Sequence, residues 1–313
     1  MKIAAYQAPL KSCGIDEALT LVRDQVGRCE ALGVEILCCP EGMLGGLADY
    51  AERPADIAID VEGGGLQPAA RLLASDSVTT ILGFTEVDRC GHLFNSAAIL
   101  SRGAVVGVYR KRHPAINRSV YRAGSEMPVF TVGQLTFGVV ICRDSSFPEP
   151  TAVMVSRGAT ALFVPTNNGM PSSKGGAELV AEARASDIAT AITHGVCVVR
   201  ADVAGRTSVL VSHGSSGIVA RDGNIVGAAR QLQADLVVAE IDVDRRSNPP
   251  LQTDERRETD RFQGQPRRVH RPGLGAFPNT STIVAVTVPV FLNVCITPPF
   301  SSTTSPGFTS TGG

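Results

Sequence analysis

One plan used twice constrains this sequence more than any other feature. Gly33-Val-Glu-Ile-Leu-Cys-Cys-Pro40 and Gly158-Ala-Thr-Ala-Leu-Phe-Val-Pro165 each follow a helix-patterned stretch, open on glycine, run apolar and close on proline. The glycine stops the helix, and the apolar run reads as a short strand covered on both faces. Asp16 to Leu32, ahead of the first copy, sets Ala18, Leu19, Leu21, Val22, Val26 and Cys29 near helical spacing. Pro148 to Arg157 precedes the second copy and also reads as a helix. Two similar halves follow if the repeat is structural; Gly-strand-Pro is also common punctuation, and coincidence could produce the match.

The rest of the chain keeps to this grammar. Strands are expected over Lys2 to Ala8, Val78 to Val87, Leu93 to Leu100 and Ala104 to Tyr109, with a hairpin from Met127 to Val132 and Leu135 to Cys142. Thr160 to Val164 is a further strand, and Ala177 to His194 a long helix stopped by Gly195. Strands over Val196 to Asp202, Ser208 to Val211, Ser216 to Ala220 and Leu236 to Ile241 close the series. Helices mixed with strands throughout predict a layered α/β domain over residues 1–268. Residues 269–313 are a low-charge tail rich in Thr, Ser, Pro and Gly. Its apolar run, Thr282 to Ile296, is shorter than the roughly 20 residues a membrane-spanning helix needs.

Charge and cysteine usage narrow the function. Lys+Arg 29 against Asp+Glu 30 gives a net charge of -1, which offers no footprint for nucleic acid or an anionic membrane. A small-molecule partner is the expectation. The 8 cysteines form no CxxC pair and the 5 histidines no metal-binding spacing, so reduced thiols in the cytoplasm and no metal are expected. The N-terminus lacks the apolar core of a secretory signal.

Three residues stand where chemistry gathers in α/β proteins, at the ends of predicted strands. Cys142 ends the run Phe137-Gly-Val-Val-Ile, and Ser146-Phe-Pro-Glu149 beyond it fits a capping box that would bring a helix N-terminus close to the thiol. Glu41 follows Pro40, where a carboxylate could accept a thiol proton. Lys111 ends the strand from Ala104 and could stabilise an oxyanion. Each alone has a plainer reading: a buried small hydrophobe, a turn glutamate, a solvated lysine. Their recurrence at three strand ends is what points to a site.

These pieces together resemble the nitrilase superfamily of carbon–nitrogen hydrolases. The resemblance is carried by the opening KIAAYQAP, Cys-Cys-Pro-Glu41, Tyr109-Arg-Lys111-Arg-His-Pro114, Gly124, the block from Gly138 to Glu149, Ala183-Arg184-Ala185, and His213 to Gly223. Asn248-Pro-Pro-Leu and Asp254-Glu-Arg-Arg resemble the family's usual ending. The resemblance implies a four-layer α-β-β-α sandwich, a homodimer or higher homo-oligomer, and no cofactor. It also implies roles: Cys142 as nucleophile, Glu41 as proton carrier, and Lys111 with the backbone N–H of Arg143 as oxyanion donors. Asp144 is expected to hold the turn rather than react.

Two departures refine this. Many relatives carry a second glutamate seven residues before the glycine matching Gly124; here that position is Asn117, expected near the pocket. Cys142 is followed by Arg-Asp rather than the Trp-Glu of true nitrilases, which favours an amide or N-carbamoyl substrate over a nitrile. The alternatives are a catalytically weak binding scaffold and a serine amidase using Gly214-Ser-Ser-Gly217 or Ser172-Ser-Lys174.

Overall fold

The computed structural model describes residues 1–11 and 14–243 of the chain. The tail 269–313, its apolar run, the closing motifs at Asn248 and Asp254, and the expected boundary at 268 all lie outside these residues.

The chain begins β1 (Lys2–Pro9), α1 (Ile15–Leu32), β2 (Ile36–Cys38), β3 (Ala58–Asp60) and α2 (Gln67–Leu72). Three long strands follow: β4 (Thr79–Val87), β5 (Leu93–Ser101) and β6 (Ala104–Arg110). The second half runs β7 (Val129–Val132), β8 (Leu135–Val139), α3 (Pro148–Ser156), β9 (Ala161–Pro165), β10 (Met170–Pro171), α4 (Ala177–His194) and β11 (Cys197–Ala201). The last described strands are β12 (Val203–Arg206), β13 (Leu210–Ser212), β14 (Gly217–Val219), β15 (Ile225–Ala228) and β16 (Asp235–Glu240).

These strands build two sheets. One runs β10-β13-β12-β1-β2-β4-β5-β6, with β16 also paired to β1 and β3 to β4; the other runs β15-β14-β11-β9-β8-β7. The repeated plan holds: α1 stops at Gly33 (φ 69) before β2, and Gly158 (φ 93) separates α3 from β9. Both β2 and β9 are interior strands, parallel to neighbours on each side.

Alternation along the strands builds the layers. Ile3 and Ala5 of β1, Ile36 and Cys38, and Ile81 point into the core that also holds Phe137, Phe163 and Val199 of the second sheet. Ala4 and Tyr6, Leu37 and Leu82 point the other way, onto Ala18, Val22 and Cys29 of α1 and Ala69 and Ala70 of α2. One sheet face thus meets the other sheet and its reverse meets helices, so both are buried, as a period of two requires. With α3 against β8 and α4 against β11 and β14, the order of layers is α-β-β-α.

Some expectations are corrected. The Ser146–Glu149 capping box is absent: α3 is preceded by Phe147 with no side-chain cap, and Glu149 instead binds Arg112 (2.9 Å). The helix starts at Pro148, one residue later than the box requires, so Phe147, whose side chain has no acceptor, stands at the capping position. The strand expected to reach Cys142 ends at Val139, and Cys142 opens a 3-10 turn, Cys142–Ser146. The strand from Val34 to Cys39 contracts to β2, and α2, β3, β10, β12 and β15 were not foreseen.

Candidate active site

Glu41 and Lys111 come from different strand ends and meet inside the protein. Glu41 leaves β2 past Pro40 and is 3% exposed; Lys111 leaves β6 and is 1% exposed. The Glu41 backbone crosses β4 at Gly83, where a Cβ would lie 2.3 Å from the Pro40 carbonyl oxygen and 2.9 Å from the Glu41 Cα. Only glycine permits that approach. Lys111 is fixed by its backbone, whose N–H donates to the Asn95 carbonyl (2.7 Å) and whose carbonyl accepts from Gly124 (2.8 Å). Gly124 is likewise required, since a Cβ there would lie 2.3 Å from the Arg110 carbonyl oxygen.

The two side chains form a buried ion pair, Lys111 Nζ to Glu41 Oε1 at 2.6 Å. Asn95 Nδ2 donates to the same oxygen at 2.8 Å. Both donors engage Oε1, so the second carboxylate oxygen, Oε2, is the one left for a proton.

Cys142 is brought to this pair by Asp144. The Asp144 carboxylate accepts from the N–H of Ile141 (3.1 Å), Arg112 (3.3 Å) and His113 (2.7 Å) and from the Tyr109 hydroxyl (2.7 Å). It therefore stitches the residues on either side of Lys111 to the turn that carries the sulfur. Cys142 itself has φ 47, a left-handed conformation unfavourable for a side chain with a Cβ. Ser145 Oγ braces that turn by donating to the Cys142 carbonyl (2.7 Å). Asp144→Ala should cost about 3 kcal/mol or more, because it strands the N–H of buried Ile141 and the hydroxyl of buried Tyr109; a thermal melt would show it, and an unchanged Tm would refute it.

Electrostatics tie the three groups together. Burial pushes the Cys142 thiol up to about 12, and the Glu41 charge adds to this; the Lys111 and Arg200 charges and the Asn167 N–H act in the opposite direction. Burial would lower the Lys111 pKa, but Glu41 and then Cys142 turn the net shift upward, so the ammonium stays charged. Burial therefore opposes the thiolate that a nearby helix N-terminus would favour. It follows that iodoacetamide alkylation of Cys142 should accelerate with pH through 9 without levelling off. A plateau near neutrality would show a preformed thiolate instead.

The remaining candidates differ in placement. Arg143 follows the sulfur, and its guanidinium donates to the Ala115 carbonyl (2.8 Å). Asn117 lies two residues on in that same loop and is exposed. The serines of Gly214–Gly217 are absorbed in structure: Ser215 Oγ donates to buried Asp202 (2.7 Å), and Ser216 Oγ to the Asp202 carbonyl (3.5 Å). Sequence reasoning missed Asn95 and Arg200. A signal existed for Asn95, because Asn95-Ser96 interrupts an otherwise apolar strand.

Among the described residues, one group has metal-ligand character: Asp88, Cys90 and His92 in the turn between β4 and β5. Asp88 already accepts from the backbone N–H of Cys90 (2.9 Å) and His92 (2.8 Å), and its other oxygen lies 3.0 Å from His92 Nδ1. Those bonds are what a side-chain-closed turn requires, and they account for the grouping.

The sequence model of the carbon-nitrogen hydrolase family matches residues 2–248. A protein described as a hydrolase in the pqqF 5' region of Pseudomonas protegens is 26% identical over 77% of this chain and 83% of its own length. An N-carbamoylputrescine amidase of Oryza sativa subsp. japonica is 31% identical over 48% of this chain, which spans 55% of that protein. Among solved structures, a mutant of the Nesterenkonia AN1 amidase of the nitrilase superfamily superposes with a TM-score of 0.64. That match covers 76% of this chain and 89% of the other at 22% identity, and it carries the same sandwich fold.

Proposed function

This chain belongs to the carbon–nitrogen hydrolase family, and from that premise we propose that it cleaves the C–N bond of a small linear amide through a thioester on Cys142. The supporting observation is the convergence on one sulfur of a buried carboxylate with one uncommitted oxygen and a buried ammonium.

The steps follow from that placement. The Cys142 proton passes to Glu41 Oε2 as sulfur attacks the carbonyl carbon. The resulting oxyanion is held by the Lys111 ammonium and the Arg143 backbone N–H. Glu41 returns the proton to the departing nitrogen, and ammonia or an amine leaves. Water then gives a proton to Glu41 and attacks the thioester, releasing the carboxylic acid and restoring the thiol. No step calls for a metal or organic cofactor. A thiol that ionises only as it attacks fits its raised pKa, because charge is created next to Lys111 rather than stored.

The N-carbamoyl reading has one observation in its favour, the likeness to the Oryza amidase. Products separate the two: an amide yields ammonia or amine and a carboxylic acid, whereas an N-carbamoyl compound yields ammonia, carbon dioxide and the free amine. Assay of aliphatic amides, ω-amides and N-carbamoyl amines for these products decides between them. Silence across the panel, with Cys142 intact, would favour the binding-scaffold alternative.

The same reading carries a cytoplasmic location and a homodimer or larger homo-oligomer. Free thiols at every described cysteine fit the location, and the oligomer is what the family likeness implies.

A further inference from the structure

Behind the sulfur lies a second buried ion pair that the proposed chemistry does not use. Arg200 on β11 and Asp187 on α4 are 3% and 2% exposed, and their contact is two-pronged: Nε donates to Oδ2 (2.9 Å) and Nη2 to Oδ1 (2.5 Å). Burying such a pair is costly, and apolar residues of similar volume would serve stability at least as well. Its remaining contacts lead to the site. Nη2 also donates to Ser145 Oγ (3.3 Å), the hydroxyl that in turn donates to the Cys142 carbonyl (2.7 Å). Nη1 donates to Thr166 Oγ1 (2.9 Å), and the Thr166 carbonyl accepts from the Glu41 N–H (3.3 Å). One guanidinium therefore reaches both the turn of the nucleophile and the segment of its proton acceptor. Each hydroxyl in these chains accepts from Arg200 and gives its own proton to a carbonyl, so the hydrogen bonding is consistent throughout.

We infer that Arg200 is a positioning residue for the reaction: its fork sets Cys142 and Glu41 in register, and its charge favours sulfur ionisation during attack. This rests on the thioester reading above. The charged groups facing the sulfur are Glu41 beyond β2, Lys111 beyond β6 and Arg200 on β11, with Asp187 and Asp202 acting on Arg200 from behind. Asp187 is close enough to moderate the Arg200 charge without cancelling it, since the guanidinium still lowers the thiol pKa. The fork matters as much as the charge, because a lysine there could not hold Asp187, Ser145 and Thr166 at once.

The test compares wild type with Arg200→Lys and with the paired change R200M/D187L, which removes both charges together so that neither is left buried alone. Two quantities are read: the iodoacetamide alkylation rate of Cys142 against pH, and kcat and KM on whichever amide the wild type hydrolyses. In R200M/D187L the thiol pKa should rise by roughly one unit. The thiolate fraction then falls about tenfold at a given pH and its nucleophilicity recovers about threefold, for a net alkylation loss of about threefold. kcat should fall at least about tenfold with KM little changed. Arg200→Lys should keep the wild-type alkylation profile while losing kcat, which separates charge from register.

A folded R200M/D187L protein with wild-type alkylation and kcat would overturn the inference. If that protein does not fold, Arg200→Lys decides alone: unchanged kcat, or an altered alkylation profile, overturns it. Failure of the thioester reading looks different, because wild-type turnover would then survive Cys142→Ala whatever happened at Arg200.

Discussion

Cys142→Ala should abolish turnover, with a loss of at least about 10,000-fold in kcat, and should leave the melting temperature where it was or slightly higher. The first half follows from the chemistry. Glu41 and Lys111 have no nucleophile to serve without the sulfur, and what remains is carbonyl polarisation and binding. The second half follows from the local structure. Alanine occupies the left-handed position at φ 47 no worse than cysteine does, and it removes a thiol held beside a buried carboxylate. Among the described residues, no hydrogen bond uses the Cys142 sulfur as donor, and the turn is held by Asp144 and Ser145 instead. The pairing of lost activity with kept stability is therefore the diagnostic. Mass spectrometry of wild type mixed with an amide should show an acyl adduct on Cys142 that the alanine variant lacks. Undiminished turnover by the variant would remove the thioester mechanism altogether.

The parts of this molecule legible in the sequence share a physical cause: they depend on local pattern. α4 spans Ala177–His194, as its periodicity and the Gly195 stop predict, because helix bounds are set by neighbours a few residues away. β4, β5 and β6 fall within a residue of their predicted bounds for the same reason. Glu41, Lys111 and Cys142 drew notice as candidates because each sits beside backbone punctuation, Pro40, His113-Pro114 and the turn ahead of Pro148, and their roles belong to the proposal above. What stayed hidden depends on partners far along the chain. Arg200 and Thr166 are 34 residues apart, and Asn95 and Glu41 are 54 apart. Nothing local in Val198-Val-Arg-Ala-Asp202 marks its arginine, which is buried in the fold against Asp187 of α4. The capping box failed in the opposite way. Its local pattern was present, but the helix starts at Pro148, which puts Phe147 rather than Ser146 at the capping position, and Arg112 holds the Glu149 carboxylate.

Lys111→Met should damage both stability and rate, and a second substitution should restore only one of them. The ammonium donates to Glu41 Oε1 at 2.6 Å, and both side chains are almost wholly excluded from water. Removing it leaves a buried carboxylate with Asn95 as its remaining donor to that oxygen, at a cost of about 3–5 kcal/mol. The carboxylate would relieve that cost by taking up a proton, and a protonated Glu41 can no longer accept one from Cys142. Loss of the oxyanion donor adds a factor of about 100 to 1,000 in kcat. Glu41→Gln behaves differently. Its amide oxygen can keep the bonds from Lys111 and Asn95, so the fold should survive better, while kcat drops about 100- to 10,000-fold for want of a base. In the double variant K111M/E41Q the buried charge is gone with its partner, so much of the Tm lost in Lys111→Met should return although turnover stays at the floor. The cycle isolates the coupling between the two groups. Additive losses of stability across it would mean that Glu41 and Lys111 do not act as a pair, and the proton route from sulfur through Glu41 would lose its electrostatic footing.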